Sequence, residues 1–269
     1  MRLYVLQMGL GTGSGSPIPA YLIQTDDGTN VLVDTGFPRD MIGQEGGSFA
    51  MEEEDFVVNR LAAIGVKPDD VQYVVCTHLD PDHAGGHDNF PNAEFVIQRE
   101  QYDAALSGEH QRYERMRAHW DVPGLRYRMV DGDIELLPGI ELIETSGHAH
   151  GHQAVLVRLP QTGPVILAID AISRQLGEYT PENRPIGPFD ADEAKTRQHP
   201  QTRRPRRARG CRLHDLRPRP QWTTLSARRG TIRSTRERPQ RRGDAGHDRD
   251  DEKGEGAGYA CPSRFVFIP

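Results

Sequence analysis

The sequence predicts a layered α/β protein built on mixed sheets. Three observations lead there: short β-branched runs bounded by Gly, Pro and Asp turns, amphipathic helical patterns set between them, and ligand-type side chains that recur just after strands. Strand runs with interspersed helices, rather than strict strand–helix alternation, are what a mixed sheet requires. A chain of 269 residues suffices for one large domain, or one domain with an appendage. The opening run Met1–Gln7 is too short for a signal peptide, and no apolar stretch reaches membrane-spanning length. Cys76, Cys211 and Cys261 form neither a disulfide framework nor a CxxC zinc pattern, which makes the cytoplasm the simplest compartment.

The net charge of −6 hides a division. Residues 198–269 hold 18 of the 33 basic and 8 of the 39 acidic residues, leaving 15 basic and 31 acidic for residues 1–197. All but one of the tail's basic residues are Arg, and the tail has almost no apolar periodicity. Two parts follow: a folded domain over residues 1–197, and an Arg-rich tail over 198–269 that is expected to be disordered or the product of a shifted reading frame. A nucleic-acid-binding role for the tail is disfavoured, because it lacks interleaved aromatics and any binding-motif spacing.

Taken in order, residues 2–7 read as a first strand. The glycines from Gly9 to Gly15 read as a flexible turn, since Pro17 and Pro19 follow where a phosphate loop would open a helix. Ala20–Thr25 and Asn30–Asp34 flank Asp26-Asp27-Gly28, a hairpin signal. Asp34-Thr35-Gly36 ends the second strand, as a turn former or as a carboxylate that steadies a ligand histidine. Residues 52–64 predict one amphipathic helix, stopped by Gly65. Val71–Cys76 predicts a buried strand, residues 84–90 a short helix, Glu94–Gln98 a strand and Arg99–Leu106 a helix. Residues 107–124 are polar and mixed, which predicts a loop or lid. Arg126–Val130, Ile134–Leu137, Ile140–Glu144, Ala154–Leu159 and Val165–Ile169 then predict five strands.

Chemistry concentrates in Thr77-His78-Leu79-Asp80-Pro81-Asp82-His83-Ala84-Gly85-Gly86-His87, on the loop that leaves strand Val71–Cys76. Zinc accepts His nitrogen and Asp oxygen, and a catalytic site keeps a position for water. Four ligand-type residues within six positions cannot easily converge on one ion, but they can serve two ions close together. The run His148-Ala149-His150-Gly151-His152 and Asp170 supply candidates from other strand ends.

These residues resemble the HxHxDH motif, with its following Gly-Gly, of the metallo-β-lactamase superfamily, and within it the N-acyl-homoserine lactonases, which are quorum-quenching enzymes. Val31–Gly36, Phe95–Arg99 with Tyr102, Thr145–Gln153 and Leu167–Ala171 extend the likeness over roughly residues 1–195. The resemblance implies a four-layer αββα sandwich, incomplete in its C-terminal part. It implies two Zn2+ ions: the first on His78, His148 and the Asp80 position, the second on Asp82 and His83, with Asp170 bridging. Asp34 stands behind the ligands, His152 braces the fold, and His87 and His150 are peripheral. A hydroxide activated by the metals would open the lactone ring of an N-acyl-homoserine lactone, with Asp82 helping to move the proton. The alternatives are hydrolysis of another lactone or ester on the same fold, or a degenerate member that binds metal without turnover. A small-molecule substrate is expected, with no nucleic acid and no membrane.

Three departures stand out. Asp80 replaces the motif's second His, giving a harder, more anionic position that could favour iron or manganese. Ser173 replaces a Tyr that contacts substrate in these lactonases, with Tyr179 nearby in sequence. The family's last ligand, a His in a Gly-His-Asp turn, has no counterpart, so the second metal position is expected to be incomplete. Read one base later, codons permitted for residues 198–209 can encode an amphipathic helix, those for 210–216 a β-branched and aromatic run, and those for 217–220 Gly-His-Asp-Pro. That order is the one the family requires. As written, the tail is expected to cost the sheet a strand and its covering helix.

Overall fold

The computed structural model describes residues 1–44, 46–172, 190–196 and 266–268. Two sheets form the frame. The first runs β4(Phe49–Ala50), β1(Arg2–Gly11), β2(Pro17–Gln24), β3(Asn30–Val33), β5(Tyr73–Val75), β6(Glu94–Gln98), β7(Arg126–Val130) in space. The second runs β12(Val266–Ile268), β11(Gly163–Leu167), β10(Gln153–Leu159), β9(Ile140–Glu144), β8(Ile134–Leu137). The sheets are mixed, as expected: β1, β2 and β3 meander antiparallel, whereas β3, β5, β6 and β7 pair parallel. The hairpin at Asp26-Asp27-Gly28 is present, with Gln24 opposite Asn30.

Side-chain alternation makes the layers. In β3, Val31 and Val33 join an inter-sheet core with Val75, Val96, Leu142, Val155 and Val157, while Leu32 points the other way. There it meets Val74, Phe95 and Ile97 under the helices, with Val57 and Leu61 of α1(Val57–Ala62) and Ala105 of α3(Arg99–Leu106). A period of two along each strand thus feeds two cores from one sheet. The described helices α1, α2(Pro81–Ala84), α3, α4(Gln111–Glu114) and α5(Arg117–Trp120) connect the strands of the first sheet. Residues 193–196 are helical as well, and the other residues from which a further helical layer over the second sheet would be drawn lie outside the described residues.

Several expectations need correction. The helix expected over residues 52–64 is broken into a 3-10 turn, Glu53–Asp55, and α1, because Phe56 is extended (ψ 134°). Asp55 explains the break: its carboxylate accepts Glu52 N at 3.1 Å and pairs with Arg60, while Phe56 is buried in the core. The helix expected over 84–90 starts earlier, as α2, and stops at Gly85 before a 3-10 turn, His87–Asn89. A Cβ on Gly85 would stand 2.3 Å from Pro38 N, so this glycine is what lets α2 pack against the loop after β3.

The loop expected over 107–124 is instead α4 and α5, seated in the core by Tyr113, Met116 and Trp120. Within the tail, Val266–Ile268 forms a strand parallel to β11 at the edge of the second sheet. The rest of residues 198–269 lies outside the described residues, as do Ser173 and Tyr179. No helix among the described residues is long and apolar enough to cross a membrane.

Candidate metal centre

Asp34 organises the centre. It closes β3 with a left-handed backbone (φ 62°), a conformation that Asp tolerates better than most residues. From there its carboxylate accepts Thr77 N at 2.9 Å and Thr77 Oγ1 at 2.7 Å, and meets His83 Nδ1 at 2.8 Å. One buried carboxylate therefore fixes both the strand end that carries His78 and the ring of His83. Asp34 thus both makes the turn that ends β3 and holds the ring of His83.

Hydrogen-bond bookkeeping sets the ring of His78. The Thr77 hydroxyl donates to Asp34, so at 3.0 Å His78 Nδ1–H donates to Thr77 Oγ1. That leaves a lone pair on His78 Nε2, which is buried and has no hydrogen-bond partner. It lies 3.4 Å from Asp80 Oδ2 and 3.5 Å from Asp170 Oδ2. A buried lone pair aimed among carboxylate oxygens is the arrangement a metal ion satisfies.

Two trios have ligand atoms close enough to hold an ion: His78, Asp80 and His148, and His78, His83 and Asp170. The first is the set the resemblance implied. In the second, Asp82 is a neighbour rather than a member, with Oδ2 at 3.6 Å from His83 Nε2. Asp170, a member of the second trio, also reaches the first, its Oδ2 lying 3.2 Å from His83 Nε2 and 3.5 Å from His148 Nε2. Its aim depends on Ile169, whose φ of 52° is strained for a β-branched residue. The rings of His78 and His83 lie against each other at a tilt of 40°, with centroids 4.1 Å apart.

The electrostatics follow from this crowding. Burial and the charge of His83 push His78 below its ordinary value and keep it neutral. Burial also works against a proton on His83, but the charges of Asp82 and Asp34 and the bond to Asp170 lift it well above the usual range. Burial opposes charge on His148 too, yet Asp190 and Asp80 raise it to about 9. Asp80 and Asp170 feel burial pushing them up, but their histidine partners hold both well below the usual carboxylate range. Only Asp82 ends up raised, because burial outweighs the pull of His83.

The remaining histidines sort themselves. His152 is buried, with Nδ1 2.7 Å from Thr145 Oγ1 and its ring centroid 5.0 Å from that of His78. It backs the trio without joining it. His87 is buried away from the centre, 3.7 Å from Cys76 Sγ and 3.1 Å from Tyr127 Oη. His150 faces His110, with rings 4.4 Å apart.

Three contributors escaped the sequence reading. Asp190 Oδ1 lies 3.2 Å from His148 Nδ1, and nothing in Asp190-Ala191-Asp192 marks it as different from a helix-capping acid. Gln153 Nε2 donates to Cys76 O at 2.8 Å and Val96 O at 3.0 Å, tying the second sheet to the strand ends of the first. Arg112, on α4, donates Nε to Asp80 Oδ1 at 2.7 Å and Nη2 to Asp80 Oδ2, a two-pronged grip. The apolar spacing Tyr113, Met116, Trp120 would have shown this segment to be helical.

Comparison with known proteins agrees with this geometry. Residues 13–226 match the profile of the metallo-beta-lactamase superfamily. An N-acyl homoserine lactonase from Bacillus sp. is 38% identical over 192 residues, 66% of this chain and 72% of that protein. The N-acyl homoserine lactonase AttM of Azorhizobium caulinodans is 34% identical over 201 residues, 64% of this chain and 76% of its own length. A solved N-acyl homoserine lactone hydrolase, with its product N-hexanoyl-L-homoserine at the catalytic metal centre, superposes with a TM-score of 0.61 at 34% identity, covering 72% of this chain and 84% of that one. An AiiA variant from B. thuringiensis with N-decanoyl-L-homoserine at its active site gives 0.57 at 36% identity, covering 68% and 78%. With its paired sheets and its histidines and aspartates gathered at the strand ends, this chain belongs to the metallo-beta-lactamase superfamily of metal-dependent hydrolases, alongside the N-acyl homoserine lactonases.

Proposed function

We propose that the protein opens the lactone ring of N-acyl homoserine lactones, using two divalent metal positions that meet at Asp170. The observation that carries this reading is the buried, unpartnered Nε2 of His78 between Asp80 and Asp170, in a fold shared with a hydrolase that holds its N-hexanoyl-L-homoserine product at a catalytic metal centre. His78, Asp80 and His148 would hold the first ion, and Asp82, His83 and Asp170 the second. Nitrogen and carboxylate donors suit zinc, and the carboxylate at Asp80 makes iron or manganese competitive at the first position. Metals bound there supply Lewis acidity and an activated water.

The chain's own residues do the rest. Asp34 holds the His83 ring through Nδ1, which keeps Nε2 facing Asp170. Asp190 does the same for His148, and Thr77 for His78. Asp82 lies beside His83 with its side chain 21% exposed, placed to pass a proton to the leaving alkoxide. Asp170, 33% exposed, opens the centre towards substrate. Ring-opening is measured by proton release from N-hexanoyl homoserine lactone, using the full chain with zinc and after chelation. Turnover that chelation abolishes and zinc restores supports the reading, and turnover indifferent to chelation contradicts it. Opening of other lactones or esters, with the homoserine lactone left intact, would move the assignment to the neighbouring substrate class.

A further inference from the structure

The two-pronged grip of Arg112 on Asp80 reaches into the first metal pocket itself. Besides holding both carboxylate oxygens of Asp80, Arg112 donates Nη1 to the His148 carbonyl at 2.9 Å and brings Nη2 within 3.3 Å of His148 Nε2. Two of the three donors of that pocket, Asp80 and His148, thus face a guanidinium. From the structure we infer that Arg112 is a built-in counter-cation of the first pocket, which must withdraw before a metal can be held there, so that the two metal positions fill in sequence, the Asp82–His83–Asp170 position first. This inference rests on the proposed metal centre.

Charge and geometry both support it. A neutral imidazole at position 80 would add no charge, whereas Asp80 adds a negative one beside Asp170 and Asp82. Arg112 supplies the balancing positive charge, and a guanidinium stays protonated at any working pH. A carboxylate oxygen that already accepts a guanidinium N–H can ligate a metal only by sharing or breaking that bond, and a divalent ion a few ångströms from Arg112 meets direct repulsion. The second position, though short of the last His that the resemblance implies, has no such competitor: the only cationic side chains within ion-pairing distance of Asp82 and Asp170 among the described residues are the histidines of the centre. Arg112 also has somewhere to go. It sits on the four-residue helix α4, within the segment that joins α3 to β7, and its side chain is 22% exposed.

Zinc titration of the chelator-stripped full chain tests this, with bound zinc counted by elemental analysis and affinities taken from calorimetry. The wild type is expected to take up one tight equivalent and a second at least ~10-fold weaker, the range over which a metal site's neighbours ordinarily tune affinity. R112Q should strengthen the second step at least ~10-fold and leave the first unchanged. Stripped R112Q should also melt ~10 °C below stripped wild type, because Asp80 loses its partner, and zinc should recover most of that loss. If R112Q does not fold, D80H, which removes the carboxylate that Arg112 grips, should give the same strengthening of the second step. Two equally tight equivalents in the wild type, or a second step unmoved by R112Q and D80H, would overturn the inference and leave the metal centre standing. No zinc bound by any form would overturn both.

Discussion

The two halves of the centre are braced in the same way and differ in what faces their open side. In each, a carboxylate engages the Nδ1 edge of a histidine and so turns Nε2 inward: Asp34 for His83 at 2.8 Å, Asp190 for His148 at 3.2 Å. In the second half, His83 Nε2 looks onto Asp170 and Asp82. In the first, His148 Nε2 looks onto Asp80 and Asp170 but also onto the guanidinium of Arg112. The difference teaches that a ligand set is defined as much by its competitors as by its members. A carboxylate at position 80, where the resemblance implies a His, keeps a candidate metal-ligating atom there and at the same time gives an arginine a seat.

The comparison can be broken or sharpened by substitution. The largest effect should come from Asp170, whose Oδ2 lies 3.2 Å from His83 Nε2 and 3.5 Å from His148 Nε2, within reach of both halves. D170N should cost ring-opening at least ~1,000-fold, as loss of a preorganised group at the reacting atoms does. It should lower bound zinc at both positions, and retention of full zinc by D170N would show that Asp170 does not link the halves. G85A comes next. Its Cβ would sit 2.3 Å from Pro38 N and displace α2, which carries Asp82 and His83. Overpacking of this kind costs about 1–3 kcal/mol, so thermal melting should fall by several degrees and the second position should suffer more than the first. D34N should weaken zinc at the second position by ~10–100-fold while leaving His148 braced. Calorimetric titration reads that directly, and an equal loss at both positions would break the asymmetry.

The smallest effect concerns His87, which stands outside both halves. Burial holds it neutral, with its value lowered to about 3. Its unfolded value is about 6.5, so between those values the unfolded chain binds one proton more than the folded one. Stability therefore rises with pH through that window, by about 1.4 kcal/mol per unit from this residue, and is lost as pH falls below about 6.5. H87Q should flatten the acid limb of a melting-against-pH curve by that slope. An unchanged acid limb would show that His87 is not buried neutral.

How much of this was legible depends on the length scale of the interaction. Glu94–Gln98, Arg99–Leu106, Arg126–Val130, Ile134–Leu137 and Ile140–Glu144 have the bounds expected of them, because period and turn chemistry decide them locally. The members of the first trio were also readable through the resemblance, since His78 and Asp80 are close in sequence and His148 opens a second His-rich run at residues 148–152. Arg112 was not. Its partners lie 32 and 36 residues away, and its own segment was taken for a polar loop even though Tyr113, Met116 and Trp120 carry a helical repeat. Asp190 was hidden for the same reason, being 42 residues from His148. The break at Phe56 went unseen because Phe56 is drawn into the core while Arg60 Nε donates to Gln7 O and Gln7 Nε2 to Asp55 Oδ1, 53 and 48 residues away, a tertiary choice that overrides the apolar pattern. Ser173, with the tail apart from Val266–Ile268, lies outside the described residues, so the shifted-frame reading of 198–220 stays with the nucleotide sequence.

The most direct test of the asymmetric centre is anomalous diffraction from crystals of the full chain soaked in limiting zinc. The account predicts one strong zinc peak bounded by Asp82, His83 and Asp170, with a weaker one beside His78, Asp80 and His148 that grows only when Arg112 has turned away. A full-occupancy peak on His78, Asp80 and His148 with Arg112 still gripping Asp80, or none at His83, would contradict it.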